Sequence, residues 1–316
     1  MKYVGVDVGG TNIAAGAVSA EGEVTLKKTI SARAFREGSL IMKDIADLCR
    51  DVMSEDGGEF AYIGVGVPGA VETETGVSRK MANINLDDLP IRDELEKMTG
   101  FRVFLANDAD CAALGENVNG AARGSGMSVT VTLGTGVGCG VIIDGTILKS
   151  SFSNGGEAGH QVIEYGGRQC GCGRRGCWER YASVTALIYD SNEAIKRAPS
   201  SALAKLARRG GGRVTGRLAF EAAAAGDPTA ISVIDNYLRY VACGVTNLIN
   251  IFDPEIVVIG GGVSEQGDVI IEPIKKYVAK DVYGGILRAK IVTAALGNDA
   301  GLVGAAMLGR HRLGRL

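Results

Sequence analysis

Two stretches of this chain follow one plan, and that repetition limits the folds open to it. "YVGVDVGGTNIAAGAVSAEGEV", from Tyr3, and "VTVTLGTGVGCGVIIDGTIL", residues 129–148, each read strand, glycine turn, strand, tight turn, strand. A second echo links "YIGVGVPGA" at 62–70 with "IVVIGGGVS" at 256–264, both strands that end in glycine turns. The pattern predicts two related α/β halves. Such a duplication is expected to put a cleft between them, lined by turns at the carboxyl ends of strands. The 47 glycines therefore mark strand ends, where tight turns and phosphate oxygens need bare backbone, and are not low complexity.

Helical periodicity fills the gaps. Ile231, Ile234, Leu238, Val241, Val245, Leu248 and Phe252 step by three and four, predicting a long helix stopped by Asp253 and Pro254. Ile41, Ile45, Leu48 and Val52 predict a shorter one, and "ALGENVNGA" continues a helix that begins near Asp108. The glycine-rich 208–217 reads as a connection within a domain, because helical pattern resumes on both sides.

A length of 316 residues with 46% hydrophobic content fits about two domains with real cores. A net charge of -2 excludes the broad basic footprint of a nucleic-acid binder, and the tail "GRHRLGR" reads as a solvated helix end. No apolar run approaches the ~18 residues of a membrane span, and "MKYVGVDVGGTN" reaches Asp7 without a signal core. No membrane partner and a cytoplasmic location are expected, and there clustered thiols serve as metal ligands more readily than as disulfides.

Four constellations can carry chemistry. In "DVGGTN", Gly9, Gly10, Thr11 and Asn12 can turn backbone N–H groups toward phosphate oxygens, and Asp7 at the strand end can hold a hydrated Mg²⁺. The turn lacks the spacings of dinucleotide and P-loop sites. Gly134, Thr135 and Gly136 occupy the equivalent place in the second half, and two such turns suit a polyphosphorylated nucleotide. Gly260, Gly261 and Gly262 supply a third turn, open to close approach of an adenine and ribose. In "LANDADCAALGE", Asn107 or Asp108 is a natural N-cap, and a carboxylate at that helix start can also take a proton from an attacking hydroxyl.

The fourth is "GGEAGHQVIEYGGRQCGCGRRGCWE". His160, Cys170, Cys172 and Cys177 form H-x9-C-x-C-x4-C, a closed donor set for structural Zn²⁺ that leaves no position for an activated water. Glycines between the ligands suit a tight knuckle, and Glu157 and Glu179 flank it, able to accept hydrogen bonds from a polyol. Cys49, Cys111, Cys139 and Cys243 lie on apolar patterns and read as ordinary buried thiols.

In this order and spacing, "DVGGTN", "LANDADCAALGE", "LGTGVGCG", "GGEAGH", "CGCGRRGCWERYAS" and "IVVIGGGVS" resemble the ROK family of bacterial sugar kinases and related repressors, from residue 1 to about 308, and within it the ATP-dependent glucokinases. The resemblance implies a two-domain actin-like, hexokinase-like α/β fold: residues 1–107 completed by a C-terminal helix at about 299–316, and a larger domain over 108–298 with the zinc knuckle. It implies ATP, Mg²⁺ and structural Zn²⁺ as cofactors, a hexose as substrate, and a homodimer or homotetramer. Asp108 becomes the general base for the sugar 6-hydroxyl, Asp7 helps position Mg²⁺, and the turns at 9–12 and 134–136 hold phosphates. Asn107, Glu157, His160 and Glu179 grip the sugar, with His160 also ligating zinc. A further family contact falls in "RKMANINLDDLP", where Ala82 replaces the family's Pro and its Trp is absent; Asn83 matches by position, with Asn85 close by.

On this reading the chain phosphorylates a hexose at its 6-hydroxyl, glucose first, with N-acetylmannosamine, N-acetylglucosamine, fructose and allose as alternatives. A sugar-sensing regulator of the same family is the rival from another class. A first strand from residue 3, ahead of which no helix-turn-helix fits, is the expectation against it.

Overall fold

The computed structural model describes residues 1–81, 83–151 and 155–313, with side chains as far as Arg310. Ala82, the side chain of His311 and the end of the predicted C-terminal helix at 314–316 lie outside them. In chain order the first half runs β1 (Lys2–Val8), β2 (Asn12–Val18), β3 (Val24–Ser31), α1 (Gly38–Asp56), β4 (Phe60–Val67), β5 (Ala70–Glu72), β6 (Val77–Lys80), α2 (Ile91–Thr99), β7 (Val103–Asn107) and α3 (Asp108–Asn119). There follow β8 (Met127–Leu133), β9 (Val137–Ile143), β10 (Thr146–Ile147), α4 (Glu179–Ala182), α5 (Val184–Arg197), α6 (Ala202–Arg209), α7 (Gly216–Ala224), α8 (Pro228–Phe252), β11 (Ile256–Gly260), α9 (Asp268–Asp281), β12 (Lys290–Thr293) and α10 (Ala300–Leu313). Among the described residues no helix is long and apolar enough to cross a membrane.

The repeat read in the sequence is a repeat of topology. One five-stranded sheet has the order β3-β2-β1-β4-β7 and the other β10-β9-β8-β11-β12, the same arrangement with each strand replaced by its counterpart. In the first sheet β1 runs antiparallel to β2 and parallel to β4, so the run from 60 to 67 sits beside the strand of the glycine turn. β11, its echo, holds the same place beside β8.

The two-residue period of the strands sorts the first sheet's faces. Val4, Val6 and Val8, with Ile63, Val65 and Val67, form one core with α1 and α2, in which Ile41, Ile45, Leu48 and Val52 are all buried. Tyr62, Phe104 and Ala106 belong to the other, with α3 and α10. Gly5 and Asp7 alternate with the valines of β1 and so point to the α10 face. The long predicted helix is α8, capped at its start by Asp227 and ended by Asp253 in the left-handed conformation at φ +45°. Ile231, in its first turn, is 47% exposed and departs from the predicted buried stripe. The glycine-rich connection runs from α6 to α7, with Gly211 and Gly212 both at positive φ.

Contacts divide the chain into one compact unit of Met1–Thr130, Gly140–Gly156 and Ala294–Leu316 and another of Val131–Cys139 and Glu157–Thr293. The helix that starts at Asp108 thus goes with the first unit, unlike the predicted split at 107/108. The reason is close packing on α10. A Cβ at Gly115 would overlap the Ala300 carbonyl oxygen, and one at Gly304 the Cys111 carbonyl oxygen, so α3 and α10 meet backbone to backbone. Gly5 and Gly64 face the carbonyls of Leu302 and Ala305 in the same way, seating α10 on β1 and β4.

Gly64→Ala should therefore cost at least the ~1–3 kcal/mol of an overpacked core. Gly57→Ala, at φ +68° but with open space around it, should cost only the ~1–2 kcal/mol of a left-handed residue. Urea denaturation of both variants checks the difference.

Candidate active site

In the first unit the turn between β1 and β2 is closed by the Gly9 N–H donating to the Asn12 carbonyl at 2.9 Å. A Cβ on Gly10 would come within 2.9 Å of the Asn83 Cβ, so the loop bearing Asn83 lies directly on this turn. Asn85 is engaged elsewhere: its side chain donates to the Arg36 carbonyl at 3.0 Å and its N–H to the Ala34 carbonyl at 2.8 Å. Of the two asparagines, Asn83 is thus the one against the turn.

Asp7 lies against the start of α10, where a Cβ on Gly301 would sit 3.1 Å from its carboxyl carbon. Burial raises the Asp7 carboxyl above its ordinary value, and the Lys27 charge opposes that shift. At the end of β7 the structure decides which residue caps α3. Asn107 is the N-cap, its side-chain oxygen accepting from the N–H groups of Ala109 at 2.8 Å and Asp110 at 3.4 Å, while its amide donates to the Gly69 carbonyl at 3.0 Å. Asp108 is the first helical residue. Its carboxylate is half-buried at the positive end of the helix, where negative charge is favoured.

In the second unit the turn between β8 and β9 is braced by α5. The N–H of Val184 donates to the Gly134 carbonyl at 2.8 Å, and the Thr185 hydroxyl to the Thr135 carbonyl at 2.7 Å. Beside it, Gly261 at φ +82° packs on the Leu133 backbone, so the turns at 134–136 and 260–262 adjoin at the ends of neighbouring strands.

The segment Ala158–His160 is one tight helical turn, and a Cβ on Gly159 would overlap the Val137 carbonyl oxygen. The bare backbone of "EAGH" is therefore what lets His160 approach β9. The His160 Nδ1 lies 3.7 Å from the Cys170 Sγ, the Cys172 and Cys177 sulfurs are 3.7 Å apart, and all four donor atoms fall within 4.8 Å of one another. Gly173 at φ +92° and Gly176 at φ +82° make the turns that bring the cysteines together. Burial, followed by hydrogen bonding with Cys172 and Cys170, pushes the Cys177 thiol up to about 12. Three thiolates this close together repel one another unless a cation sits among them, so the cluster is one that can hold a metal ion. Among the other cysteines, Cys49, Cys111 and Cys139 are buried as expected, whereas Cys243 is only partly so.

Glu179 joins this cluster to the glycine turn. One of its oxygens accepts from the Val137 N–H at 3.2 Å, and the other stands 4.0 Å from the Cys170 sulfur. A Cβ on Gly136 would strike the same carboxylate. Glu157 begins the His160 turn, its carbonyl accepting from the His160 N–H at 3.0 Å.

The anchor beneath the cluster was not singled out in the sequence. The buried Trp178 donates through its indole N–H to the Tyr240 carbonyl at 2.7 Å, and its ring fills the space a side chain at Gly244 would need. A lone glycine in the helical pattern of α8 is the signal that marks such an approach. Asn247 adds a hydrogen bond to the Gln161 side chain at 3.0 Å. Gly244→Ala should displace the chain's only tryptophan, seen as a red shift of its emission and a loss of at least ~1–3 kcal/mol in unfolding free energy.

Comparison with known proteins agrees with this architecture. The ROK family model matches residues 3–312. The glucokinase of Thermotoga maritima is 37% identical over 316 residues, covering 99% of each chain. That of Halalkalibacterium halodurans is 40% identical, with 97% of this chain and 94% of its own covered. Among solved structures, a ROK family glucokinase from Streptomyces griseus in complex with glucose and AMPPNP superposes with a TM-score of 0.87 at 34% identity, covering 98% of this chain and 100% of that one. The duplicated sheet is thus the actin-like fold of the sugar kinases, and the chain belongs to the ROK family.

Proposed function

We propose that this protein is a glucokinase, transferring the γ-phosphoryl group of ATP to the 6-hydroxyl of glucose. The observation that carries the reading is likeness along nearly the whole chain to glucokinases, one of them solved with glucose and an ATP analogue.

Phosphoryl transfer is mostly positioning and charge neutralisation. We assign Asp108 as the group that orients the sugar hydroxyl and accepts its proton late in the step; its seat at the start of α3 supports the role. Asn107 and Asn83 are assigned to sugar hydroxyls. Asn107 spends its oxygen on the cap and one N–H on Gly69, which leaves its second N–H for the substrate. In the second unit Glu157, His160 and Glu179 are assigned as hydroxyl partners. The residues 9–12 and 134–136 are assigned to phosphates and 260–262 to the nucleoside.

Asp7 suits Mg²⁺. Its oxygens are hard donors without a hydrogen-bond partner among the described residues, and burial raises its carboxyl, a cost that a cation relieves. The ion would supply charge neutralisation on the triphosphate.

Zinc suits His160, Cys170, Cys172 and Cys177. A tetrahedron with bonds of about 2.3 Å sets its sulfurs ~3.8 Å apart, against the 3.7 Å between Cys172 and Cys177. With Nδ1 as the metal donor, the Nε2 of His160 is left for a sugar hydroxyl. A zinc ion bound there would hold "EAGH" and Glu179 in place, its four protein donors leaving no position for an activated water.

Asp108→Asn should lower kcat by ~10²-fold or more with the KM for glucose largely kept, and near wild-type turnover would remove Asp108 from the base role. Cys172→Ser should lose the bound zinc by elemental analysis and raise the KM for glucose; zinc-free protein with unchanged glucose KM would refute the clamp. A hexose panel with ATP and Mg²⁺, scored by kcat/KM, should rank glucose above N-acetylmannosamine, N-acetylglucosamine, fructose and allose.

A further inference from the structure

Glu116 is fully buried near the end of α3, where the helix dipole disfavours an anion, and it has no role in the assignments above. A carboxylate survives in such a place only if its oxygens are hydrogen-bonded. Here the donors are backbone N–H groups from two separate segments. Ala121, just past α3, donates at 2.7 Å, while Ala295 and Leu296 donate at 3.1 and 2.8 Å. The last two lie on the connector from β12 to α10, so one buried charge ties the end of α3 to that connector.

The connector matters because of what it delivers. It leads through Gly297–Asp299 into Ala300, the first residue of α10, and Gly301 then lies against the Asp7 carboxyl. Asp299 also pairs with Lys27, the cation that acts on Asp7. Where the start of α10 sits thus decides the surroundings of the Asp7 carboxylate. We infer that Glu116 is a positioning residue that sets Asp7 for Mg²⁺ and ATP through the β12–α10 connector, without touching either. The inference rests on the kinase reading above.

The carboxylate is required by the count of donors. One oxygen accepts from Ala121 and Ala295 and the other from Leu296, so the amide of a glutamine would aim N–H at N–H on one side or the other. Glu116→Gln keeps the shape and removes only that match.

The test measures the Mg²⁺ concentration giving half-maximal glucose phosphorylation, the KM for glucose, and hydrogen exchange of the Ala295 and Leu296 amides, in wild type and Glu116→Gln. Faster exchange at those amides is expected, with the Mg²⁺ requirement raised about tenfold or more and the KM for glucose within about twofold of wild type. A folded variant with wild-type Mg²⁺ dependence, or one whose Mg²⁺ and glucose dependences shift equally, would overturn the inference. If Glu116→Gln does not fold, Glu116→Asp decides. It keeps the carboxylate but is one methylene too short to hold Ala121 and the Ala295–Leu296 amides together, and an unshifted Mg²⁺ dependence there would overturn the inference too. A wild-type protein that does not phosphorylate glucose would instead defeat the kinase reading.

Discussion

Backbone lying directly on backbone, with no side chain between, is the constraint on which the first unit depends. Helix α10 meets β1, β4 and α3 where Gly5, Gly64, Gly115 and Gly304 leave carbonyl oxygens in the place of a Cβ. Such contacts remove apolar surface from water at the shortest possible separation, and they tolerate no added methyl. They also fix a register. Because Gly5 and Asp7 share one face of β1, the residue two positions beyond the close contact is brought to the first turn of α10. A packing constraint thereby places a carboxylate.

The second unit uses the same device around its cysteine cluster. Gly159 lets the "EAGH" turn reach β9, Gly136 makes room for Glu179, and Gly244 admits the indole of Trp178. Between them the cluster is held from below by α8 and joined to the glycine turn by one carboxylate. The four clustered side chains come from a loop with little regular structure of its own, in which positive-φ glycines set the path. A metal ion held there would contribute what a hydrophobic core contributes elsewhere, since so short a loop buries little apolar area.

Much of this was legible in the residues. The two strand–turn–strand repeats, the echo of β4 in β11, and helices α1 and α8 all followed from period and punctuation, which depend on neighbours along the chain. The spacing of His160, Cys170, Cys172 and Cys177 was legible for the same reason, because a knuckle is closed by local turns. Other choices lay between near-equivalent neighbours. Asn107 and Asp108 are both good caps, and Asn83 and Asn85 both suit a polar loop; hydrogen bonds to Gly69 and Arg36, distant in sequence, separate them. Glu116 was hidden because a glutamate near a helix end ordinarily faces water, and its three donors come from segments that only folding brings to it.

The sequence by itself determined the duplicated α/β plan, the places of the glycine turns and the membership of the Cys/His cluster. Each is written in residues a few positions apart, where backbone sterics and ligand chemistry decide. Only the tertiary structure decided that α3 belongs with the first unit, that His160 presents Nδ1 to the cysteines, and that Asp7 lies under α10. Those outcomes depend on which surfaces approach closely enough to exclude a side chain, and that is a property of the packed chain.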